Sequence, residues 1–242
     1  MRSDERRALP WPKLDPARRS AEVRAFFDRR ARVYDRVADG PYWAFSDRVL
    51  LALLRRTLLS GLGDGDGLRL LDAGGGTGRW ALALLRALPG ATALVADVSP
   101  GMLRVARRKA ERAGLSTRLD LLEHDLHAPL PRRAGRFDVV LCFHNVASLV
   151  ADPAGLVRRL ARATAPGGRI ALVVPSLWQA AAKVVRDGRP SELRRIAACS
   201  SAVYADGVPE VLRFTPSVAR ACLARAGCVA VAVRGFPVTL HP

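Results

Sequence analysis

The 242-residue sequence predicts an α/β fold with a mostly parallel sheet and helices on both faces. Three observations carry that reading. From residue 68 onward, short apolar runs alternate with stretches of helical period. Most of the runs are apolar at nearly every position, as strands covered on both faces require. Residues 70–80, LLDAGGGTGRW, place an apolar run, a glycine turn and a helix start in immediate succession. That layout suits a nucleotide-like cofactor held at a helix N-terminus, where backbone N–H groups point at the ligand.

Strands are predicted at 68–72, 92–97, 118–122, 137–143, 169–174 and 228–234, with helices at 79–88, 100–113, 153–164 and 216–226. Ser99-Pro100, Asp152-Pro153 and Thr215-Pro216 are helix starts, each a capping oxygen followed by a proline whose missing N–H costs nothing there. Gly114 and Gly227 stand where C-terminal caps belong. Upstream, Asp15-Pro16 opens a helix that carries Val23, Phe26, Phe27, Arg30, Tyr34 and Val37, mostly apolar, at helical spacing. Gly40-Pro41 breaks it, and Ser46 is expected to cap a second helix over 47–59.

Residues 175–214 depart from the rhythm, with two weak helical segments, 176–186 and 191–199, and an irregular tract around Tyr204. An insertion after the fifth strand sits above the carboxyl ends of the strands, where open α/β sheets bind ligands, and reads as a lid. The expected organisation is an N-terminal helical cap and linker (1–67), a cofactor-binding core (68–174), a lid or substrate insertion (175–214), and a final helix and strand of the core (215–242).

The net charge of +17 raises the question of nucleic acid. The cations are spread almost evenly along the chain and are nearly all Arg, with Lys13, Lys109 and Lys183 the only lysines. No basic tail or block concentrates them, so a nucleic-acid partner is not expected. Cys142, Cys199, Cys222 and Cys228 lack CxxC spacing and read as core thiols of a reducing compartment. The N-terminal stretch has no apolar segment of signal-peptide type, and no run approaches the ~20 apolar residues of a membrane span. A cytoplasmic monomer or homodimer with no membrane association is expected. His124 and His127 flank Asp125 without a further ligand cluster, so no metal is expected.

Chemistry-bearing residues recur at the carboxyl ends of successive strands: Asp72 with the glycine loop, Asp97, Asp125-Leu126, and Phe143-His144-Asn145. Asp97 lies about twenty residues past the glycines, where an acidic side chain can accept both hydroxyl protons of a ribose. The stretches LLDAGGGTG, VADVSPGML, HDL, FDVVLCFHNVASL and APGGRI, in this order and spacing, resemble the class I S-adenosylmethionine-dependent methyltransferases, which are Rossmann-like. The segment Phe26 to Asp35 resembles the start of the ubiquinone- and menaquinone-type and related small-molecule enzymes. The glycine pattern separates the chain from dehydrogenases, because no glycine occupies the third position of G-x-G-x-x-G.

The resemblance implies S-adenosylmethionine as cofactor and assigns roles. Gly74 and Gly76 would line its methionine part, with Asp72 ordering the loop or meeting the amino group. Asp97 would hold the ribose, Val98 and Met102 would pack on adenine, and Asp125 with Leu126 would meet the adenine edge. Phe143 and Tyr34 would close over it. His144 faces the expected methyl position and is the candidate base or acceptor-orienting group, because imidazole titrates near neutrality. Asn145 could orient the acceptor. Trp178 and Tyr204, with Arg194 and Arg195, are candidate pocket residues for a partly apolar small-molecule acceptor. The expected function is methyl transfer to such an acceptor in biosynthesis. Two alternatives stand beside it, methylation of RNA and a cofactor-bound non-methylating reaction such as a cyclisation.

Overall fold

The computed structural model describes residues 11–38, 40–202 and 208–235. Five strands form one parallel sheet: β1 (Arg69–Ala73), β2 (Thr92–Asp97), β3 (Leu119–Glu123), β4 (Phe137–Cys142) and β5 (Thr164–Leu172). Their order is β3-β2-β1-β4-β5. The direction of winding reverses between β1 and β4, which leaves a crevice at the carboxyl ends of those two strands. A short antiparallel pair, β6 (Ser201–Ala202) and β7 (Val211–Leu212), lies apart from this sheet.

Helices α1 (Pro16–Arg30), α2 (Tyr34–Ala38) and α3 (Pro41–Arg56) precede the sheet. Within the core follow α4 (Arg79–Ala87), α5 (Pro100–Arg112), α6 (Val146–Leu149) and α7 (Pro153–Ala163). The insertion carries α8 (Leu177–Arg186) and α9 (Pro190–Cys199), and α10 (Pro216–Arg225) comes last. The predicted starts are real caps: Ser99 accepts from Met102 N–H, Asp152 from Gly155 N–H and Thr215 from Val218 N–H, each with proline in the first turn. Among the described residues, no helix is long and apolar enough to cross a membrane.

The sheet divides the core because successive strand residues point to opposite faces. Leu70, Val95 and Leu141 pack with Trp80, Leu84 and Leu85 of α4 and with Leu50 and Leu54 of α3. Leu71, Ala73 and Val140 pack on the other face with Leu156 and Leu160 of α7 and with Phe214. Both faces of β1 are buried, which is why its sequence reads as an apolar run.

Three expectations need correction. Ser46 caps nothing; it is buried inside α3, which starts five residues earlier at Gly40-Pro41. That dipeptide ends one helix and starts the next, because proline is preorganised for a first helical turn. The N-terminal helix also breaks once, with residues 31–33 separating α1 from α2. Finally, residues 228–234 form no strand. Cys228 N–H instead bonds Leu223 O, Arg220 donates to Val231 O, and Ala230 takes a left-handed φ of +53°. A strand needs a paired ladder to offset its ordering cost, and the only following run, 236–240, contains Pro237. That run lies outside the described residues.

Candidate functional site

The turn between β1 and α4 takes left-handed backbone at Gly74, Gly76 and Gly78. Gly74 is doubly constrained, with φ at +71° and a hypothetical Cβ only 2.5 Å from the Val146 side chain. Asp72 turns beneath the loop and accepts from Ala81 N–H at 3.1 Å, so it ties the loop to the first turn of α4. Burial pushes its carboxyl up to about 7, opposed by the Ala81 bond and assisted by the charge of Asp97.

Asp97, at the end of β2, accepts from Gly76 N–H at 2.9 Å and from Ser99 N–H at 2.8 Å. One carboxylate thus pins both the glycine loop and the start of α5. Burial pushes it up to about 6, against the pull of those backbone bonds. Space remains above Gly76, where an added Cβ would meet only the Met102 terminal methyl at 3.5 Å and Asp97 Oδ2 at 4.0 Å. The arrangement is a cradle with an acidic rim, floored by the buried Met102.

The N-terminal helices reach down to this cradle through three aspartates. Asp28 of α1 accepts from Ser99 Oγ at 2.7 Å and Gly101 N–H at 2.8 Å. Asp35 of α2 accepts from Thr77 Oγ1 at 2.7 Å and Lys109 Nζ at 2.8 Å. Asp47 of α3 pairs with Arg79 at 2.5 Å. Tyr34 packs edge-on to Phe27, and its hydroxyl is held above its ordinary pKa by burial and then by the nearby Asp97.

At the end of β3, the Asp125 carboxylate accepts from Ser20 Oγ at 2.6 Å and from His127 N–H and Nδ1–H at 2.9 and 2.8 Å. Burial acts to raise its pKa, but these bonds outweigh it and hold the carboxyl below its ordinary value. His127 Nε2 accepts from Ala151 N–H, which fixes the proton on Nδ1. Leu126 is buried beside them.

At the end of β4, Phe143 is buried edge-on to Trp80. His144 takes a φ of +58°, and its Nε2 receives the Trp80 indole N–H at 2.9 Å. Trp43 meets the same imidazole edge-on, with centroids 6.1 Å apart. Burial holds His144 below its ordinary pKa, with Asp47 opposing and Arg79 assisting. Asn145 precedes α6 without a side-chain capping bond.

Trp178 is 64% exposed on α8, Arg194 is exposed on α9, and Tyr204 lies outside the described residues. The return of the insertion is joined to the N-terminal segment. Arg19 is buried and donates to Leu149 O at 2.8 Å and to Glu210 O, while Trp11 donates to Arg213 O at 2.9 Å and packs on Phe214. Sequence reasoning missed Ser20, Asp28, Asp35, Asp47 and the side chain of Trp80. Asp28 and Asp35 stand on different helices, α1 and α2, so no helical period marks them as partners of one site.

The sheet order, the left-handed glycine turn and the acid at the end of β2 define a Rossmann-like fold. Residues 70–168 match the family described as "Methyltransferase domain". Residues 70–168 are therefore similar to the class I S-adenosylmethionine-dependent methyltransferase superfamily. It is 43% identical over 105 residues to "Demethylmenaquinone methyltransferase" of Thermus thermophilus, covering 43% of this chain and 46% of that protein. It is 33% identical over 168 residues to "Release factor glutamine methyltransferase" of Chlorobaculum tepidum, covering 69% and 55%. The chain thus spans about half the length of these curated relatives. Among solved structures, the "[4+2]-Cyclase SpnF" shares the fold at a TM-score of 0.55 and 24% identity, over 69% of this chain and 61% of that one.

Proposed function

We propose that the chain binds S-adenosylmethionine and transfers its methyl group to a small-molecule acceptor in a biosynthetic pathway. The observation that carries this reading is Asp97, whose carboxylate joins Gly76 N–H and Ser99 N–H beside the open face of the glycine loop. A ribose diol fits such a carboxylate, because its two hydroxyls donate to two acceptor oxygens. Gly74, Gly76 and the loop backbone take the methionine part, while Asp72 orders the loop from beneath. Val98 and Met102 pack on adenine, Asp125 and Leu126 meet its edge, and Tyr34 and Phe143 close the sides.

When bound, the cofactor supplies an electrophilic methyl on a sulfonium with a good leaving group. The chain then has to align the acceptor and exclude water. His144 and Asn145 face the acceptor from the end of β4. Helices α1 to α3 close over the cofactor through Asp28, Asp35 and Asp47, and the insertion, with Trp178 on α8, shapes the acceptor side. The match to a protein named for demethylmenaquinone favours a quinone-type or related ring acceptor.

Calorimetric titration with S-adenosylhomocysteine tests the reading. One site per chain is expected, and absence of binding at neutral pH would overturn it.

A further inference from the structure

His144 combines three features. Its backbone is left-handed at φ +58°, a conformation that is strained for a non-glycine residue and persists only where the surroundings impose it. Its ring is covered by Trp80 and Trp43. One ring nitrogen faces the Trp80 indole Nε1 at 2.9 Å. An indole N–H can only donate, so the nitrogen facing it must present its lone pair, and a neutral ring then carries its proton on the other nitrogen. Trp80 itself is 6% exposed and wedged against the buried Phe143, so it is held in place by the core.

That lone pair is the one a general base would need. The charged groups that act on the ring, Asp47 and Arg79, are ion-paired with each other at 2.5 Å. Among the described residues, no other protein hydrogen bond to the His144 ring is found. We infer that Trp80 holds His144 as the neutral tautomer protonated at Nδ1, so that His144 serves the acceptor as a hydrogen-bond donor and not as the base that takes its proton. Trp80 is then a positioning residue. The inference rests on the methyl-transfer reading and narrows its acceptor class.

With His144 unable to take a proton, an acceptor oxygen that must lose its proton to react arrives already ionised. An acidic phenol or enol fits, because its oxyanion accepts from Nδ1–H. The proton goes to solvent before binding. The acceptor oxygen gains the bond to the methyl carbon as the carbon–sulfur bond breaks, with that electron pair staying on sulfur.

Two-bond proton–nitrogen NMR on histidine-labelled, cofactor-free protein reads the tautomer directly, with His144→Asn assigning the signal. Expected is an unprotonated Nε2 and a protonated Nδ1 at pH 7.5. Trp80→Phe removes the donor that favours the neutral ring, so the His144 pKa should rise and the Nε2–H tautomer should appear. A wild-type ring protonated at Nε2, or doubly protonated at neutral pH, overturns the inference whatever the cofactor does.

The acceptor class is probed with 4-nitrophenol on protein saturated with S-adenosylhomocysteine. The bound probe should show the phenolate spectrum below the pH at which the free probe is half ionised. His144→Asn, which retains a donor near the same place and tolerates positive φ, should keep this binding. His144→Ala should weaken it tenfold or more. Preference for the protonated phenol, no binding of either form, or equal binding by His144→Ala overturns the donor role. Failure to bind S-adenosylhomocysteine would instead sink the methyl-transfer reading while the NMR result stands.

Discussion

Replacing Asp72 by Asn should stabilise the cofactor-free protein in alkaline but not in acid solution. Asp72 is 2% exposed and its carboxyl is pushed from 3.8 to about 7. Between these values the folded chain holds a proton that the unfolded chain has lost, so raising the pH favours unfolding. About three pH units at 1.36 kcal/mol each give a stability loss of about 4 kcal/mol, complete once the pH passes about 7. Asparagine keeps an oxygen for Ala81 N–H and has no charge to bury. In urea unfolding followed by tryptophan fluorescence, the two proteins should have similar midpoints at pH 4. At pH 8 the variant should unfold about 1–2 M later, given a slope of about 2–3 kcal/mol/M. Asp97, pushed up to about 6, adds a loss of the same sign in an overlapping window and remains in the variant, so some pH dependence persists. Equal pH dependence in both proteins, or a less stable variant at pH 8, would refute the buried-acid account.

Asp97→Asn should weaken S-adenosylhomocysteine binding by about 3 kcal/mol, ~100-fold, on the strength of hydrogen bonds to a charged acceptor; unchanged affinity by calorimetry counts against the ribose role. Because the folded Asp97 titrates near 6, wild-type affinity should rise about tenfold from pH 5 to pH 7, and this slope should vanish in the variant. Gly74→Ala meets both a left-handed φ and the Val146 side chain, and should cost about 2–3 kcal/mol in urea unfolding; a cost under 1 kcal/mol would show that the turn relaxes easily. Arg19→Met removes the Arg19 donors from Leu149 O and Glu210 O and should cost about 2–4 kcal/mol. It should also speed proteolysis within 175–214, and unchanged cleavage there would mean that the N-terminal helix does not brace the insertion.

The sheet was largely readable from the sequence because its physical signals are local. Strands buried on both faces write continuous apolar runs, and Ser99-Pro100, Asp152-Pro153 and Thr215-Pro216 mark helix starts by chemistry confined to a few residues. Gly74, Gly76 and Asp97 were readable for the same reason, since a tight turn and an acid at a strand end need neighbours in sequence only. The misreadings involve signals that tertiary structure decides. Ser46 has a capping side chain, but Gly40-Pro41 had already started the helix. Residues 228–234 have strand composition, yet strand formation depends on a partner elsewhere in the chain. The ties from Asp28, Asp35 and Asp47 to Ser99, Thr77 and Arg79 span long stretches of sequence and leave no periodic trace. Trp80 was readable as a helix residue but not as the donor to His144, because only folding brings α4 beside the end of β4.

The central claim is methyl transfer, and isotope-labelled product mass tests it most directly. The protein would be incubated with S-adenosylmethionine bearing a deuterated methyl group and a panel of acidic phenols, enols and hydroquinones. The account predicts an acceptor heavier by one deuterated methyl group, in a one-to-one ratio with S-adenosylhomocysteine formed. Cofactor binding with an acceptor converted at unchanged mass would contradict it.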